Sequence, residues 1–143
     1  AVAQWLDAVG LRDFAHSWPK ELSGGMRKRV AIATVFASGA PILLMDEPFG
    51  ALDYVTRLDL QKLLIELWQR THRTIVFVTH DIEEALVLAE RVLVMSHGRL
   101  VDDIAVELPR PRDAEIRATP EAVRITKTVL HHLGLDGALE AAA

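Results

Sequence analysis

Two short groups of residues have the types and positions that phosphate chemistry requires. In the first, Ser23, Gly24 and Gly25 directly precede a segment whose apolar residues follow helical periodicity. The first N–H groups of a helix are unpaired and its N-terminus is partly positive, so this group could bind a phosphate or another anion. Taken alone, Ser-Gly-Gly more often marks the start of a serine-capped helix that binds nothing.

The second group is a pair of carboxylates, Asp46 and Glu47, which follow the apolar run Ile42–Met45 and precede Pro48. If the run is a strand of an α/β layer, both acids lie at the carboxyl edge of the sheet, where ligands bind in such folds. One acid could hold a magnesium ion while the other accepts a proton from an attacking water. A pair of solvated acids is the alternative, which Pro48 makes less favourable because it fixes the backbone just after them.

Two further residues occupy comparable positions. His80 follows the apolar run Thr74–Thr79 and could contact a transferring phosphate or orient the attacking water, although a single histidine at a strand end is more often structural. Asp53 closes a turn and by itself indicates a helix cap. The only basic run, Arg27 to Arg29, could contact a phosphate or a partner, and we interpret it as a solvated helix face.

The elements that must position these residues alternate between helices and strands. The sequence predicts helices over residues 2–9, 24–37, 54–70, 82–89 and 120–133, and strands over residues 42–45, 74–79, 92–95 and 100–104. This alternation indicates the α/β class with a largely parallel sheet. Because Ile42–Met45 is apolar without alternation, we expect a strand that is covered on both faces. Asp81 and Glu84 predict a capping box at the fourth helix.

The composition excludes several classes of function. With 16 basic and 20 acidic residues the formal net charge is −4, which argues against a nucleic-acid-binding module. The absence of cysteine excludes disulfides and thiolate metal sites. The longest uncharged run, Val30–Met45, is interrupted by Gly39 and Pro41 and is shorter than the roughly 20 residues of a membrane span.

Four motifs in one order carry a resemblance to a known family. Leu22–Met26 resembles the signature loop of the ATP-binding cassette (ABC) ATPases, and Ile42–Pro48 resembles their Walker B strand. Ala51–Asp53 is similar to their D-loop, and His80 is similar to their switch histidine. The match runs from about residue 5 to about residue 112. Phe49-Gly50 and the sequence through Leu-Pro-Arg-Pro-Arg resemble the subunits of nitrate, sulfonate and taurine importers.

The resemblance implies a P-loop NTPase-like ABC ATPase fold that is incomplete. We expect part of the helical subdomain and the C-terminal part of a mainly parallel sheet with flanking helices. No G-x-x-x-x-G-K-[ST] loop, the family's Walker A motif, occurs in the sequence, and Ala1 appears inside a helical pattern. The sequence is therefore expected to be a C-terminal portion, inactive and marginally stable alone. We expect a partial ATPase domain over residues 1–112 and a helical extension over residues 113–143.

The resemblance also implies roles for individual residues. Glu47 would be the general base, and Asp46 would be the carboxylate that holds Mg²⁺. His80 would contact the γ-phosphate of ATP. In a head-to-tail dimer, Ser23, Gly24 and Gly25 would bind the γ-phosphate of ATP held by a second ABC ATPase subunit. Asp53 would lie at that dimer interface.

The same resemblance implies partners and a location. The subunit would bind membrane permease subunits at the cytoplasmic face of the inner membrane, as a peripheral protein, and would serve a periplasmic substrate-binding protein indirectly. The cargo would be a small anion such as nitrate, sulfonate or taurine, and nucleic acid would not be a partner. Two alternatives are a non-hydrolysing regulatory module that lends its signature loop to a partner's ATP, and a DNA-associated ABC protein of the chromosome-maintenance kind. The second is disfavoured because the sequence has neither long heptad arms nor a basic surface.

Overall fold

A computed structural model of the chain describes residues 2–138, and the chain divides into two compact units, Ala1–Val78 and Thr79–Ala143. The first unit contains, in order, α1 (Val2–Ala8), α2 (Gly24–Ala37), β1 (Ile42–Asp46), α3 (Tyr54–Thr71) and β2 (Thr74–Val78), with 3₁₀ turns at Arg12–Phe14 and Pro19–Glu21. The predicted helices and strands of this unit are therefore present at nearly the predicted bounds.

Local interactions set the ends of α2. Ser23 has an extended backbone, and its side chain accepts a hydrogen bond from the backbone N–H of Met26 at 3.2 Å, which confirms the predicted N-cap. After the helix, Gly39 adopts a φ of +77°, a left-handed conformation that glycine enters without steric cost. The buried face of α2 includes Phe36, whose ring lies 5.9 Å from that of Trp5 in α1.

β1 and β2 pair in parallel, from Ile42 opposite Thr74 to Asp46 opposite Val78, as the α/β pattern predicts. The prediction that β1 is covered on both faces is wrong. Buried and exposed residues alternate along the strand, and Leu44 is 73% exposed. The outward row of this parallel pair consists of Ile42, Leu44, Val76 and Val78. Within the first unit, no described residue covers that apolar row.

The second unit contains α4 (Ile82–Leu88), β3 (Arg91–Ser96), β4 (Arg99–Ala105), a 3₁₀ turn at Ala114–Ala118, α5 (Pro120–His132) and a 3₁₀ turn at Asp136–Ala138. β3 and β4 form an antiparallel hairpin, so the expected parallel pairing does not extend to this pair. The reason is the two-residue turn: His97 and Gly98 have φ values of 49° and 74°. A tight turn with positive φ at both positions joins neighbouring antiparallel strands.

The core of the second unit joins α5 to the hairpin and to α4. Ala122, Ile125 and Val129 of α5 belong to the same buried cluster as Leu86 and Val94. The helix begins as predicted, because the Thr119 side chain accepts a hydrogen bond from the Ala122 N–H at 3.3 Å and Pro120 occupies the first turn. The division into an ATPase portion and an extension at residue 112 stays a prediction.

Across residues 2–138, every helix falls short of the combined length and hydropathy that a membrane-spanning segment requires.

Candidate functional site

The first candidate group lies at an exposed helix start. Ser23 and Gly24 are exposed, and Gly25 is half-buried. Ser23 Oγ accepts the Met26 N–H, which leaves its O–H able to donate to a ligand. A methyl group added at Gly24 would meet only the Arg27 side chain, at 4.0 Å, so the backbone of Gly24 can be approached from outside.

Gly25 also has a packing role, which the sequence does not indicate. A Cβ at Gly25 would lie 2.7 Å from the side-chain methyl carbon of Thr56, in the first turn of α3. Since real Cβ atoms essentially never approach that closely, a side chain at this position would force α2 and α3 apart. The glycine is therefore required by packing within the unit, independently of any ligand.

Asp53 is the N-cap of α3, as predicted. Its carboxylate accepts hydrogen bonds from the Thr56 N–H at 3.0 Å and from the Thr56 hydroxyl at 2.6 Å. The hydroxyl contact, together with the backbone N–H, holds the pKa of Asp53 below its usual range. Thr56 thus contacts both Gly25 of the signature loop and Asp53 of the D-loop.

The carboxylate pair lies at the carboxyl end of β1. Asp46 is exposed, and Glu47 is half-buried with a left-handed φ of 46°. The Glu47 N–H donates to the Val78 carbonyl at 2.9 Å, and the Glu47 carbonyl accepts from the Gly50 N–H at 3.1 Å. A non-glycine residue in this conformation costs free energy and persists only where its surroundings impose it.

The basic run is only partly a solvated face, because Arg27 is exposed but its two neighbours are not. Lys28 and Arg29 are half-buried, and all three basic side chains donate to backbone carbonyls. Arg29 reaches the carbonyl of Val9 at 3.1 Å, and Lys28 reaches the carbonyl of Glu47 at 3.4 Å. Sequence reasoning missed these contacts because each partner carbonyl belongs to a turn or an adjoining segment whose position depends on the fold.

The second unit contains His80, which is exposed and lies between Thr79 and Asp81. Asp81 caps α4, which confirms one half of the predicted capping box: its carboxylate accepts from the N–H groups of Glu83 at 2.9 Å and Glu84 at 3.3 Å. The Asp81 N–H, which the box would pair with the Glu84 side chain, donates to the Thr79 hydroxyl at 3.0 Å. The sequence did not reveal that the Glu84 carboxylate is buried and accepts a hydrogen bond from the Thr79 hydroxyl at 2.7 Å.

Arg112 is a second residue whose importance the sequence did not show. Its side chain is only 2% exposed and donates to four backbone carbonyls. Two of them, Leu86 at 2.8 Å and Ala89 at 2.6 Å, belong to the end of α4. Burial is the main cause that lowers the pKa of Arg112. In the sequence this residue is one of two arginines in a proline-rich linker, with no signal of burial.

The structure brings six of the seven predicted site residues into the first unit and places His80 in the second. Within residues 2–138 there is no group of three or more histidines, cysteines or acids that could hold a metal ion. Two adjacent carboxylates nevertheless fit Mg²⁺, which commonly takes one or two protein carboxylates and completes its shell with water and phosphate oxygens. The residue roles stay predictions.

Comparisons with known proteins agree with the motifs. The ABC transporter family model matches residues 1–50. The chain is 47% identical over 139 residues to the aliphatic sulfonates import ATP-binding protein SsuB 1 of Streptomyces avermitilis, covering 97% of this chain and 52% of that protein. It is 50% identical over 109 residues to SsuB of Yersinia pestis, covering 76% of this chain and 40% of that protein. The chain spans about half the length of the curated relatives it matches.

The fold is similar to that of a solved ABC protein. The neighbour is an ATP-binding cassette in a dimeric, post-hydrolysis state bound to ADP and Pi. The similarity has a TM-score of 0.62 at 36% identity, and it covers 73% of this chain and 45% of that one. The described residues therefore have part of the ABC ATPase fold. On sequence and structure together, this chain belongs to the ABC transporter ATPase family.

Proposed function

We propose that this chain provides the signature, Walker B, D-loop and switch-histidine portion of an importer's ATP-hydrolysing subunit, and that it works together with a Walker A-bearing portion. The observation that carries the proposal is the arrangement of the first unit. There, the exposed helix start at Ser23 and the strand-end acids Asp46 and Glu47 belong to one compact body. Its outward apolar row, which no described residue of the first unit covers, is consistent with a further portion packing on it.

Glu47 is the proposed general base. Its backbone is held at the strand end by hydrogen bonds to Val78 and Gly50, so its carboxylate extends from a fixed point. From there it accepts a proton from a water that attacks the γ-phosphate of ATP. Asp46, the last residue of β1, is exposed and would hold Mg²⁺, directly or through water. The ion, when bound, neutralises developing phosphate charge.

The signature group acts on a nucleotide that a second subunit holds. The Ser23 hydroxyl and the N–H groups at the start of α2 are donors suited to a γ-phosphate, and Gly24 permits close approach. The dimeric, nucleotide-bound state of the similar cassette supports this arrangement. Asp53 lies, in this proposal, at the interface between the two subunits, and His80 contacts the γ-phosphate.

The names of the relatives support a role in import. Both are aliphatic sulfonate import proteins, which favours a sulfonate among the small anions that the sequence indicates, which also include nitrate and taurine. The proposed partners are permease subunits at the cytoplasmic face of the inner membrane and, indirectly, a periplasmic binding protein.

The test uses this chain joined in frame to the portion of the Streptomyces avermitilis relative that the match does not cover, and the product is here named the joined ATPase. We expect it to hydrolyse ATP, and we expect Glu47→Gln to reduce kcat by roughly 10²–10⁴-fold while ATP binding persists, because only the proton acceptor is lost. The matched control is Glu66→Gln, an exposed acid on α3. A folded joined ATPase without turnover would overturn the proposal, and turnover that survives in Glu47→Gln would show that Glu47 is not the base.

A non-hydrolysing module is the second candidate. It is favoured by one observation: Ser23 and Gly24 are exposed at the start of α2, where a nucleotide held by another subunit could reach them. If the chain lends its signature loop to another subunit, adding it to full-length SsuB of Yersinia pestis will change that protein's ATP turnover. The variant Gly24→Asp, which places a negative charge at the anion site, should abolish the change. Unchanged turnover on addition of the chain would exclude this candidate.

A further inference from the structure

We propose that Thr79 and Glu84 are positioning residues for His80, which they hold in place through a hydroxyl–carboxylate hydrogen bond. The proposal rests on the proposed ATPase function, in which His80 contacts the γ-phosphate. Neither residue touches that phosphate in our proposal. Each acts through the backbone on one side of the histidine.

The Thr79 hydroxyl connects the residues around His80. It donates to Glu84 Oε2 at 2.7 Å and accepts from the Asp81 N–H at 3.0 Å. The hydrogen bond between Thr79 and Asp81 spans His80 itself, because the two residues are its neighbours in the chain. The backbone of His80 is therefore closed into a small hydrogen-bonded turn, from which the exposed residue faces solvent.

Glu84 connects this turn to α4. Its N–H donates to the Asp81 carboxylate at 3.3 Å, while its own carboxylate accepts the Thr79 hydroxyl. Thr79, Asp81 and Glu84 thus form a closed ring of hydrogen bonds on either side of His80. Glu84 is only 6% exposed, so water competes little for these bonds.

The other end of α4 is also held. Arg112 donates to the carbonyls of Leu86 and Ala89, and Leu86 is buried in the core of the unit. Because both ends of this helix are bound, Glu84 is a fixed acceptor for the Thr79 hydroxyl. Through the hydrogen bond from the Thr79 hydroxyl, this fixed carboxylate holds the turn around His80 in place.

The carboxylate of Glu84 is better suited to orienting the turn at His80 than to stabilising the second unit. A buried carboxylate costs desolvation free energy, and well-packed apolar replacements of buried polar groups are often neutral or stabilising. Replacing Thr79 and Glu84 together by apolar residues of similar shape would therefore cost little stability, whereas replacing Glu84 alone would leave the Thr79 hydroxyl without its acceptor. What the carboxylate adds is a directional bond to Thr79, which sets where the next residue points.

A double-mutant cycle in the joined ATPase tests the proposal. We expect Thr79→Val, which keeps the shape and removes the hydroxyl, to lower kcat by about 10- to 100-fold with KM for ATP little changed, because misplacement of a catalytic group affects the transition state most. Thr79→Ser restores the hydroxyl and should restore kcat. The double variant Thr79→Val/His80→Ala should be no slower than His80→Ala, since Thr79 acts only through His80.

The control is Thr126→Val, which removes a hydroxyl bonded to the Ala122 carbonyl within α5 and should leave kcat unchanged. Additive losses in the double variant, or an unchanged kcat in Thr79→Val, would overturn the positioning role. If His80→Ala itself keeps full kcat, the assigned function of His80 fails instead. Should Thr79→Val not fold, Glu84→Gln takes its place in the cycle: the amide oxygen still accepts the hydroxyl, so it should retain more kcat than Glu84→Ala, and equal losses would contradict the proposal.

Discussion

Glu47 in the first unit is anchored through its own backbone, whereas His80 in the second unit is anchored through the side chains of its neighbours. The Glu47 N–H and carbonyl bind Val78 and Gly50, contacts that survive any change of the Glu47 side chain. The turn at His80 is held by one hydroxyl and two carboxylates, from Thr79, Asp81 and Glu84. When a residue is held by its backbone, its side chain can be replaced without moving the residue. When it is held by neighbouring side chains, a single substitution of a neighbour can remove the support.

The two units also differ in how their unfolding can be measured. All three tryptophans, Trp5, Trp18 and Trp68, lie in the first unit, and the second unit has no tryptophan, tyrosine or phenylalanine. Tryptophan fluorescence therefore reports unfolding of the first unit, and amide hydrogen exchange can report the second separately. This difference makes each of the following predictions specific to one unit.

The largest stability effect is expected for Arg112→Met. The substitution keeps much of the side-chain volume but leaves four buried or partly buried carbonyls without their donor. We expect the second unit to lose about 3 kcal/mol or more, because unsatisfied buried polar groups each cost about 1–3 kcal/mol. The readout is hydrogen-exchange protection of α5 and the hairpin.

The matched control for Arg112 is Arg99→Met, at an exposed position at the start of β4. Equal protection in both variants would show that the buried arginine does not hold this unit together. A parallel loss in the tryptophan signal would show that the two units do not unfold separately, which would break the comparison.

A smaller effect is expected for Gly25→Ala in the first unit. The added methyl group would lie 2.7 Å from the Thr56 methyl carbon, so α2 or α3 must shift. Overpacking of this kind costs about 1–3 kcal/mol. Gly24→Ala is the control, because its methyl group meets only Arg27, at 4.0 Å. Urea unfolding followed by tryptophan fluorescence should separate the two variants, and equal midpoints would contradict the packing role of Gly25.

The smallest effect is a pH dependence at Asp53. Because its pKa in the folded chain is below the usual 3.8, the ionised carboxylate stabilises the first unit at neutral pH, and this contribution is lost as pH falls below that value. Asp53→Asn keeps a capping oxygen without the charge. The wild-type chain should therefore be more stable than Asp53→Asn at neutral pH, and the gap should close in acid.

The measurement for Asp53 is the urea midpoint from pH 7 to pH 3, with Asp59→Asn as the control for the loss of one exposed charge on α3. A gap between wild type and Asp53→Asn that is independent of pH would mean that the hydrogen bonds from Thr56 do not favour the ionised form.

Much of the local structure follows from short sequence patterns. Ser23, Asp53 and Asp81 are predicted as helix caps, and each accepts the backbone hydrogen bond that defines a cap. A cap joins residues two or three positions apart, so its chemistry is complete within the local sequence. The same holds for the order of the motifs, from which the ABC family was recognised.

Other features depend on segments that are distant in sequence. The exposure of Leu44, the burial of Arg112 and the contact between Gly25 and Thr56 each depend on which element packs against which. The antiparallel pairing of β3 and β4 depended on a turn whose backbone angles the residue types alone did not settle.

The sequence by itself determined the family, the order of the elements and the identity of the residues proposed to act on ATP, because these depend on residue type and spacing. Only the tertiary structure decided how those residues are held: Glu47 by backbone hydrogen bonds, His80 by Thr79 and Glu84, and Gly25 by contact with Thr56. The physical reason is that hydrogen bonds and close packing depend on distances of a few ångströms between groups that the folded chain brings together.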